Sequence, residues 1–540
     1  MENRSVDEFS SRRSTVRGKN GIVAASQPLA SQAGIRALQD GGNAFDAAVA
    51  TAAALNVVEP TSTGLGGDVF MLYRSADGDV GAMRACGGAP EGATRDRVAS
   101  ALADEQETTP EEAEMPLTGV HTVTVPGTAR GWEATVEEFG RLSLAEALDP
   151  AIEYATEGYP VTEVIADAWT QGEELFETDH ARDAYLVDGE RAPEPGEVVR
   201  LTELGESMQA IAEEGADVVY EGYIAEAIAN EVQEQGGFLT VEDLAAFEVE
   251  YPEPVSTTYG DAEVFELPPN NQGLIALEAL NIAEELGARD YDADSPARVH
   301  YLAEAMKLAF HDGHRYITDP AFEEIPPLGS KEWAKTRAEE VGEKAGDVSF
   351  GVPDANAEDA DTVLLCVADD EGNVVSYINS RFAGFGSGLV AGNTGIALQN
   401  RGASFSLDDD HPNRLEPKKK PFHTLIPGIV KHDENDWSAF GVMGGYMQPQ
   451  GHLQTLVHIL DDDRTLQQAL DAPRWRYRES GRLAIEAGVS TRVQNGLLRR
   501  GHDLEVLLPG EFGGAQIVRN TDGALSGATE PRKDGTVTTF

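Results

Sequence analysis

The sequence pattern changes at Thr362, and this change constrains the fold of the chain more than any other feature. Up to that residue helical and polar segments dominate, whereas from Thr362 onward the runs TVLLCVAD and VVSYINS flank a DEGN turn. Runs rich in β-branched residues and joined by tight turns predict an antiparallel sheet. The 540-residue chain is therefore expected to be of the α+β class, with a helix-rich region over residues 21–361 and a strand-led region over residues 362–540.

Three polar stretches are expected to lie outside the packed core. Residues 1–20 contain no apolar segment and are interpreted as a flexible arm. The acidic run at residues 104–114 is interpreted as a solvated excursion, and residues 346–361 as an exposed linker, because they contain Gly and Pro without periodicity. By contrast, the alanine-rich segment after Asn43 is apolar on nearly all sides, which predicts a buried helix with Asn43 as its N-cap.

The charge of the chain excludes several classes of partner. It has 94 acidic and 41 basic residues, a net charge of −53, and such a surface repels nucleic-acid phosphates and anionic membranes. No apolar run approaches the roughly 18 residues of a membrane span, and the polar N-terminal residues are not followed by an export signal, so we expect a cytoplasmic protein. Only ten basic residues are Lys. An acidic, Lys-poor surface is typical of proteins from salt-loving organisms, which work in molar salt, where the Debye length is about 3 Å.

The sequence offers no recognisable site for a metal or an organic cofactor. It lacks a P-loop, a GxSxG elbow, an HExxH motif and a CxxC pair. The surroundings of Cys86 and Cys366 resemble neither a disulfide framework nor a metal site. His311 and His314 lie three residues apart in a helical segment without the acidic partners typical of a metal site, and are interpreted as polar residues near a helix end. We therefore expect neither a cofactor nor a metal.

Several ordered motifs resemble those of a known family. They are PLASQAGIRALQDGGNAFDAAVATAAALNVVEP, TGLGGDVFML, a VPG at residues 125–127, PPNNQG at residues 268–273, AEAMKLAFHDGHRYITDP, GFGSG, GVMGGYMQPQ and, near the C-terminus, DAPRW. In these motifs, which cover residues 21–535, the chain resembles the γ-glutamyltranspeptidase family of N-terminal-nucleophile hydrolases. The resemblance implies a four-layer αββα sandwich, in which two antiparallel sheets face each other between helices.

The resemblance assigns the reaction to Thr362. In the family a single-chain precursor cuts itself before a threonine and the two fragments stay associated; the matching bond here is Asp361–Thr362. A free N-terminal amine can then serve as the base for the hydroxyl of the same residue. By the same resemblance Ser380, in place of the usual Thr, binds the nucleophile, and the backbone amides of Gly444 and Gly445 form the oxyanion hole. Without the resemblance, the two hydroxyl residues could be ordinary strand residues and the two glycines a tight turn.

The positions that bind the γ-glutamyl group in the family have changed in this chain. The family's Arg, Asn, Gln, Asp and two Ser correspond to Cys86, Phe382, Arg401, Ser404, His423 and Thr424. The cation for an α-carboxylate is thus missing from its position, and Arg401 would repel an α-ammonium and favour an anionic or carbonyl-rich group. A structural ion pair is the alternative interpretation of Arg401. The segment QNRGASFSLDDDHPNRLEPKKKPFHTLIP resembles a subgroup related to oxamate amidohydrolase, and its Lys418–Lys420 cluster could either steer an anionic substrate or form a solvated loop.

Three functions are compatible with these residues and their resemblance. The first, which we favour, is an amidohydrolase that cleaves an amide bond of a small acidic substrate through an acyl-enzyme. The second is a γ-glutamyltransferase or glutathione hydrolase in which other residues replace the missing pocket groups. The third is an unprocessed binding protein that keeps the fold but performs no catalysis.

Overall fold

The computed structural model describes residues 13–351 and 362–540. Its strands are β1 (Val16–Gly18), β2 (Gly21–Ala25), β3 (Asp68–Arg74), β4 (Val80–Ala85), β5 (Tyr159–Pro160), β6 (Val198–Val199), β7 (Val255–Tyr259), β8 (Ala262–Glu266), β9 (Val363–Asp369), β10 (Val374–Ser380), β11 (Gly428–Asp433), β12 (Asp436–Met443), β13 (Trp475–Tyr477), β14 (Leu483–Glu486), β15 (Leu504–Leu507), β16 (Gly514–Thr521), β17 (Ala524–Thr529) and β18 (Thr536–Thr539). Its α-helices are α1 (Pro28–Gln39), α2 (Ala44–Val58), α3 (Arg95–Glu105), α4 (Thr128–Phe139), α5 (Leu144–Glu157), α6 (Glu163–Trp169), α7 (Gly172–Leu175), α8 (Asp179–Tyr185), α9 (Thr202–Glu214), α10 (Asp217–Tyr220), α11 (Tyr223–Glu234), α12 (Val241–Ala245), α13 (Gly273–Glu285), α14 (Pro296–Tyr316), α15 (Lys331–Ala338), α16 (Met447–Leu460), α17 (Leu466–Asp471) and α18 (Thr491–Arg500).

Two antiparallel sheets face each other at the centre of the fold. The first has the strand order β1-β17-β16-β12-β11-β8-β7, and the second has the order β18-β2-β9-β10-β3-β4. Their facing sides bury a common core that includes Ile22, Leu364, Ile429, Ala439 and Val518. Successive side chains of a strand point to opposite faces of the sheet, so the other buried residues of these strands pack outward.

Helices cover the outer face of each sheet. On the second sheet, α1, α2, α4 and α5 share one core with β9 and β10, and on the first sheet α13, α14 and α16 share another with β11 and β12. Every residue of α2 is buried, and Asn43 forms a capping box with Asp46 at its start, as the alanine-rich pattern predicts. The layers are helix, sheet, sheet and helix, which confirms the predicted four-layer αββα sandwich.

Strands from both sequence regions are neighbours within both sheets. The strand β9, which opens the strand-led region, lies between β2 and β10, and β10 also pairs with β3. In the first sheet, β8 of the helix-rich region pairs with β11 of the strand-led region. Neither region could therefore build its sheets alone. The proposed division at Thr362 separates two parts of the chain that both contribute strands to the same two sheets.

Parts of the predicted arm and linker are packed, contrary to expectation, although most of their described residues are exposed or half-buried. In the predicted flexible arm, Val16–Gly18 forms β1 and pairs with residues 525–527, because the edge of β17 presents unpaired N–H and C=O groups. In the predicted linker, Phe350 is buried and its carbonyl accepts a hydrogen bond from His314 Nδ1 at 2.9 Å. Residues 1–12 of the arm and residues 352–361 of the linker, including Asp361, lie outside the described residues.

None of the helices within the described ranges combines the length and the apolarity that crossing a lipid bilayer requires. The cytoplasmic location inferred from the sequence stays a prediction.

Candidate active site

Thr362 is fully buried at the start of the central strand β9 and meets Ser380 at the end of β10. In this antiparallel pair Val363 lies opposite Asn379, which brings Thr362 and Ser380 side by side. The Thr362 Oγ1 donates a hydrogen bond to Ser380 Oγ at 3.3 Å. The two hydroxyls that the resemblance selected are thus in direct contact, while their chemical roles stay predictions.

The turn after Ser380 connects these hydroxyls to the candidate substrate-binding residues. Phe382 has φ = +88°, a region that L-residues with a side chain rarely adopt. Its backbone N–H donates to Ser380 Oγ at 2.8 Å and so fixes the orientation of that hydroxyl. The Phe382 ring lies against Arg401, whose guanidinium carbon is 4.5 Å from the ring centroid, an attractive cation–π arrangement.

Gly444 and Gly445 connect β12 to α16, and β12 packs on β9, the strand that directly follows Thr362. An added Cβ on Gly441 of β12 would lie 2.8 Å from the side chain of Leu364 in β9, so the ends of these two strands pack directly on each other. The φ values of Gly444 and Gly445 are +109° and +53°, conformations that glycine adopts without steric cost. Neither glycine N–H has an intramolecular acceptor within residues 13–351 and 362–540. Two backbone donors are therefore left for a ligand.

Arg401 is fully buried and uses only one side of its guanidinium for internal hydrogen bonds. Its Nη1 donates to Thr424 Oγ1 at 2.9 Å, whereas Nε and Nη2 have no hydrogen-bond partner in the described part of the chain. Nε and Nη2 form one edge of the guanidinium and can bind both oxygens of a carboxylate. Burial lowers the pKa of Arg401 to about 10, and the Asp68 carboxylate opposes that shift, so the side chain stays charged at neutral pH.

Gln272 connects the arginine to the glycine pair. Its Nε2 donates to the carbonyl of Thr424 at 2.7 Å and to the carbonyl of Gly445 at 3.0 Å. Contacts therefore run without a gap from the Thr362 hydroxyl through the Phe382 turn to Arg401, and from there to the glycine pair.

Asp68 is a buried member of this site that the sequence motifs did not single out. Its Oδ2 accepts a hydrogen bond from His423 Nε2 at 3.0 Å, and the other His423 nitrogen, Nδ1, accepts from Leu425 N–H at 3.2 Å. Burial raises the pKa of Asp68 to about 7, and the charge of Arg401 limits the rise. Burial also holds the pKa of His423 well below its usual range, so the imidazole is neutral with its proton on Nε2. Asp68 and His423 are 355 positions apart, so no local pattern could have paired them.

A cavity of about 440 Å³ adjoins these residues and is lined by Phe382, Ser404 and Tyr446. Residues 111–115 of the acidic run line it as well. Most of the run is exposed, as its charge predicts, but Ala113 is buried in an apolar cluster with the segment that follows Ser404. With Ala113 held in this way, residues 111–115 form one wall of the cavity, which could hold a small substrate.

Cys86 is a buried thiol, and two lysines of the Lys418–Lys420 cluster form ion pairs. Cys86 is buried, and burial raises the pKa of its thiol far above the usual range. Lys420 forms an ion pair with Glu250 at 2.6 Å, and Lys418 with Glu91 at 3.2 Å. These pairs favour a structural role for the cluster over the steering of a substrate.

The described histidines offer one group that could hold a metal. His300, Glu304 and His502 bring ligand atoms within 4.8 Å of one another, but the Lys307 ammonium already lies 2.8 Å from Glu304. His314 lies in the last turn of α14, near a helix end as predicted, but it is buried, and burial lowers its pKa to about 4. The expectation that catalysis needs no metal and no cofactor stays a prediction.

Known proteins share the fold and the sequence over nearly the whole chain. The family model described as Gamma-glutamyltranspeptidase matches residues 30–540. The chain is 38% identical over 540 residues to the glutathione hydrolase-like YwrD proenzyme of Bacillus subtilis, covering 96% of this chain and 98% of that protein. It is 35% identical over 535 residues to the oxamate amidohydrolase proenzyme of Klebsiella pneumoniae, with coverage of 96% and 98%. Cephalosporin acylase from Bacillus halodurans matches with a TM-score of 0.90 and 42% identity, over 100% of this chain and 99% of that structure.

The fold and these similarities define the class as N-terminal-nucleophile hydrolases with an αββα sandwich. The chain belongs to the γ-glutamyltranspeptidase family. It is an enzyme that hydrolyses an amide bond through an acyl-enzyme, as the sequence resemblance predicts. Members of the family are processed into large and small subunits that stay associated.

Proposed function

We propose that this enzyme cuts itself between Asp361 and Thr362 and then uses Thr362 to hydrolyse an amide of a small acidic substrate. The observation that carries the proposal is the hydrogen bond from Thr362 to Ser380, close to a buried guanidinium with one unoccupied edge. A nucleophile and an anion-binding group thus lie within one set of connected contacts. Cleavage before Thr362 supplies the missing base, because the new α-amine has a reference pKa of about 7.7–8.0.

In the proposed reaction the Thr362 amine takes the proton of its own hydroxyl while Oγ1 attacks the substrate carbonyl carbon. The N–H groups of Gly444 and Gly445 stabilise the resulting oxyanion, an interaction commonly worth about 10²–10³ in rate for each donor. The C–N bond then breaks, and the ammonium returns the proton to the leaving amine. Water attacks the ester with the Thr362 amine again as the base, which releases the acid and restores the enzyme.

The free edge of Arg401 supports an acyl group that ends in a carboxylate or another pair of oxygens. The Nε and Nη2 donors match a carboxylate geometrically, and charge-assisted hydrogen bonds of this kind are about twice as strong as neutral ones. The relatives include an oxamate amidohydrolase, whose substrate name denotes such a short acidic amide. We therefore propose small acidic amides as the substrate class.

A γ-glutamyl amide is the second candidate, since relatives include glutathione hydrolases. In this chain Arg401 and Phe382 stand where the family binds the α-ammonium, and a buried guanidinium repels an ammonium group. A matched pair of substrates separates the two candidates: glutaryl-p-nitroanilide differs from γ-glutamyl-p-nitroanilide only by the absence of the α-ammonium. We expect faster turnover of the glutaryl compound. Preferred turnover of the γ-glutamyl compound would refute the acidic-amide proposal.

Self-cleavage is tested by denaturing gel electrophoresis of the purified protein and of Thr362→Ala. We expect two bands for the wild type, near 361 and 179 residues, and one band for the variant, because the variant lacks the attacking hydroxyl. The two wild-type fragments should co-elute without denaturant, since β9 of one fragment lies between strands of both. A single wild-type band that persists, identical to that of the variant, would favour the unprocessed binding protein.

A further inference from the structure

Asp68 and Arg401 form an isolated pair of opposite charges next to the space where the acyl group is proposed to bind. Both side chains are fully buried. No direct hydrogen bond or ion pair joins them among the described residues, but two consecutive residues connect them: His423 Nε2 donates to Asp68 Oδ2 at 3.0 Å, and Arg401 Nη1 donates to Thr424 Oγ1 at 2.9 Å. In agreement with this proximity, each charge shifts the pKa of the other. The Nε–Nη2 edge of Arg401 has no partner among the described residues, and Phe382, which the guanidinium contacts, lines the cavity, while Asp68 supplies a negative charge within electrostatic range.

The other titratable groups around Asp68 carry no unmatched charge. They are His423 before β11, Cys86 after β4, Tyr220 of α10 and Arg84 of β4. The imidazole, thiol and phenol are neutral at pH 7, because burial shifts the pKa of each away from its charged form. Arg84 forms its own ion pair with Glu250 at 2.7 Å. Asp68 and Arg401 thus balance each other in the free enzyme.

A substrate carboxylate bound to Arg401 would add a second negative charge to this pair. Two anions would then share one buried guanidinium, and an uncompensated buried charge is strongly unfavourable. Binding of one proton restores neutrality. Asp68 can accept it: Gly127 N–H, Gln399 Nε2 and His423 Nε2 donate three hydrogen bonds to its oxygens, and a carboxylate has about four acceptor positions.

We propose that Asp68 is a positioning residue that couples recognition of an anionic acyl group to the uptake of one proton. This inference rests on the proposed function, because it requires Arg401 to bind the acyl carboxylate. Lower pH should favour binding of an anionic substrate, since protonated Asp68 no longer competes for the charge of Arg401. An uncharged substrate should bind without this dependence.

The test compares glutaryl-p-nitroanilide with its methyl ester between pH 6 and pH 9. The ratio of their kcat/KM values cancels ionisations that act on both substrates, including that of the Thr362 amine. Because burial places the pKa of Asp68 near 7, we expect this acid-to-ester ratio to fall about tenfold per pH unit above pH 7. In Asp68→Asn, which holds no titrating group at this position, the ratio should stay high and independent of pH.

A matched control comes from a second buried carboxylate–imidazole pair. Glu266 and His452 are fully buried and 2.7 Å apart, and Arg401 is not among the groups that shift the pKa of Glu266. We expect Glu266→Gln to keep the pH dependence of the ratio even where it lowers the thermal stability. A wild-type ratio that does not change with pH, or an equal slope in Asp68→Asn, would overturn the inference.

In Asp68→Asn the new NH₂ group would face the His423 Nε2–H, and two donors would then oppose each other. Two measures keep the test decisive in case this variant does not fold. The double variant Asp68→Asn/His423→Gln offers a carbonyl acceptor instead. On the wild type, calorimetric titration with 5-oxohexanoate, a non-hydrolysable ketone with one carboxylate, in two buffers of different ionisation enthalpy counts the protons taken up at pH 7.5. We expect uptake of most of one proton, and zero uptake contradicts the inference. Failure of 5-oxohexanoate to bind refutes both the inference and the role of Arg401, whereas hydrolysis of the ester would still support the Thr362 mechanism.

Discussion

At the scale of single residues, Arg401 is the buried cation through which the site is proposed to recognise its substrate. A buried donor without a partner costs about 1–3 kcal/mol, and a charged one costs more. Arg401 Nε and Nη2 have no partner among the described residues, so a ligand that pairs with both donors would avoid this cost. The aromatic contact with Phe382 and the hydrogen bond to Thr424 hold the guanidinium in one orientation, so little entropy is lost when the ligand binds.

Replacement of Arg401 by Met should remove the preference for an acidic acyl group. Hydrogen bonds to a charged partner contribute about 1.5–3 kcal/mol, so we expect kcat/KM for glutaryl-p-nitroanilide to fall about 10- to 100-fold. The methyl ester, which has no carboxylate, serves as the control and should change little. Arg401→Lys should give an intermediate value, because Lys keeps the charge but lacks the planar edge. An equal loss for acid and ester would contradict the assignment.

We expect the reaction to require a hydroxyl group at position 380, which either Ser or Thr can supply. Its Oγ accepts hydrogen bonds from Thr362 Oγ1 and from the backbone N–H of Phe382. Ser380→Ala removes the acceptor from both, and we expect kcat to fall about 10- to 100-fold and self-cleavage to slow in a time course on denaturing gels. Ser380→Thr is the matched control, and it should retain most of the activity. An unchanged kcat in Ser380→Ala would exclude Ser380 from the mechanism.

At the scale of secondary-structure elements, β12, which leads into the proposed oxyanion hole, packs on β9, which follows the proposed nucleophile Thr362. The two strands belong to different sheets, so no hydrogen-bond ladder fixes their separation. The separation depends on side-chain volume at the contact between Gly441 and Leu364, where an added Cβ would approach to 2.8 Å. The sequence reveals the two strands, but it does not reveal this contact.

The double variant Gly441→Ala/Leu364→Ala tests the contact. Gly441→Ala alone should destabilise the protein by about 1–3 kcal/mol through overpacking, and Leu364→Ala alone by about 2–5 kcal/mol through the cavity it leaves. Combined, the two changes should cost less than their sum, because the new methyl group fills part of the cavity. Denaturant unfolding of the four proteins measures the coupling. Strict additivity would show that the two strands do not meet as described.

At the scale of the whole molecule, the net charge of −53 sets the solution conditions in which the fold is stable. Self-repulsion among the carboxylates destabilises the compact state, and salt screens it. The site residues Asp68 and Arg401 are buried and therefore much less sensitive to screening than the surface charges. Salt should thus affect the stability of the protein more than its recognition of a substrate.

We expect the melting temperature to fall when the protein is moved from 2 M to about 20 mM KCl. The Debye length grows from below 3 Å to more than 20 Å over this range, so repulsion between surface carboxylates is no longer screened. Differential scanning fluorimetry along a KCl series measures the effect, and sucrose of matched viscosity is the control. A melting temperature that does not change with salt would contradict the prediction that the surface is adapted to molar salt.

The sequence by itself identified the residues whose neighbours lie close along the chain or on a paired strand. Thr362 and Ser380 flank one hairpin, so their contact follows from the register of β9 and β10. The buried helix α2 was predictable because its own contiguous segment is apolar on all sides. The motifs that resemble the family were sufficient for the αββα fold and the class of reaction, since each motif is a contiguous stretch.

Only the tertiary structure decided which charges meet. Asp68 accepts a hydrogen bond from His423 and lies within electrostatic range of Arg401, each more than 300 positions away. Asp68 belongs to the motif TGLGGDVFML, but a contiguous motif does not show which distant residues it meets. Charge alone did not reveal that Ala113 of the exposed acidic run packs in an apolar cluster, or that the N-terminal arm pairs with the open edge of β17. Local sequence thus specifies the secondary-structure elements and predicts the nucleophile, whereas electrostatic pairing depends on distances through space that only the packed sheets establish.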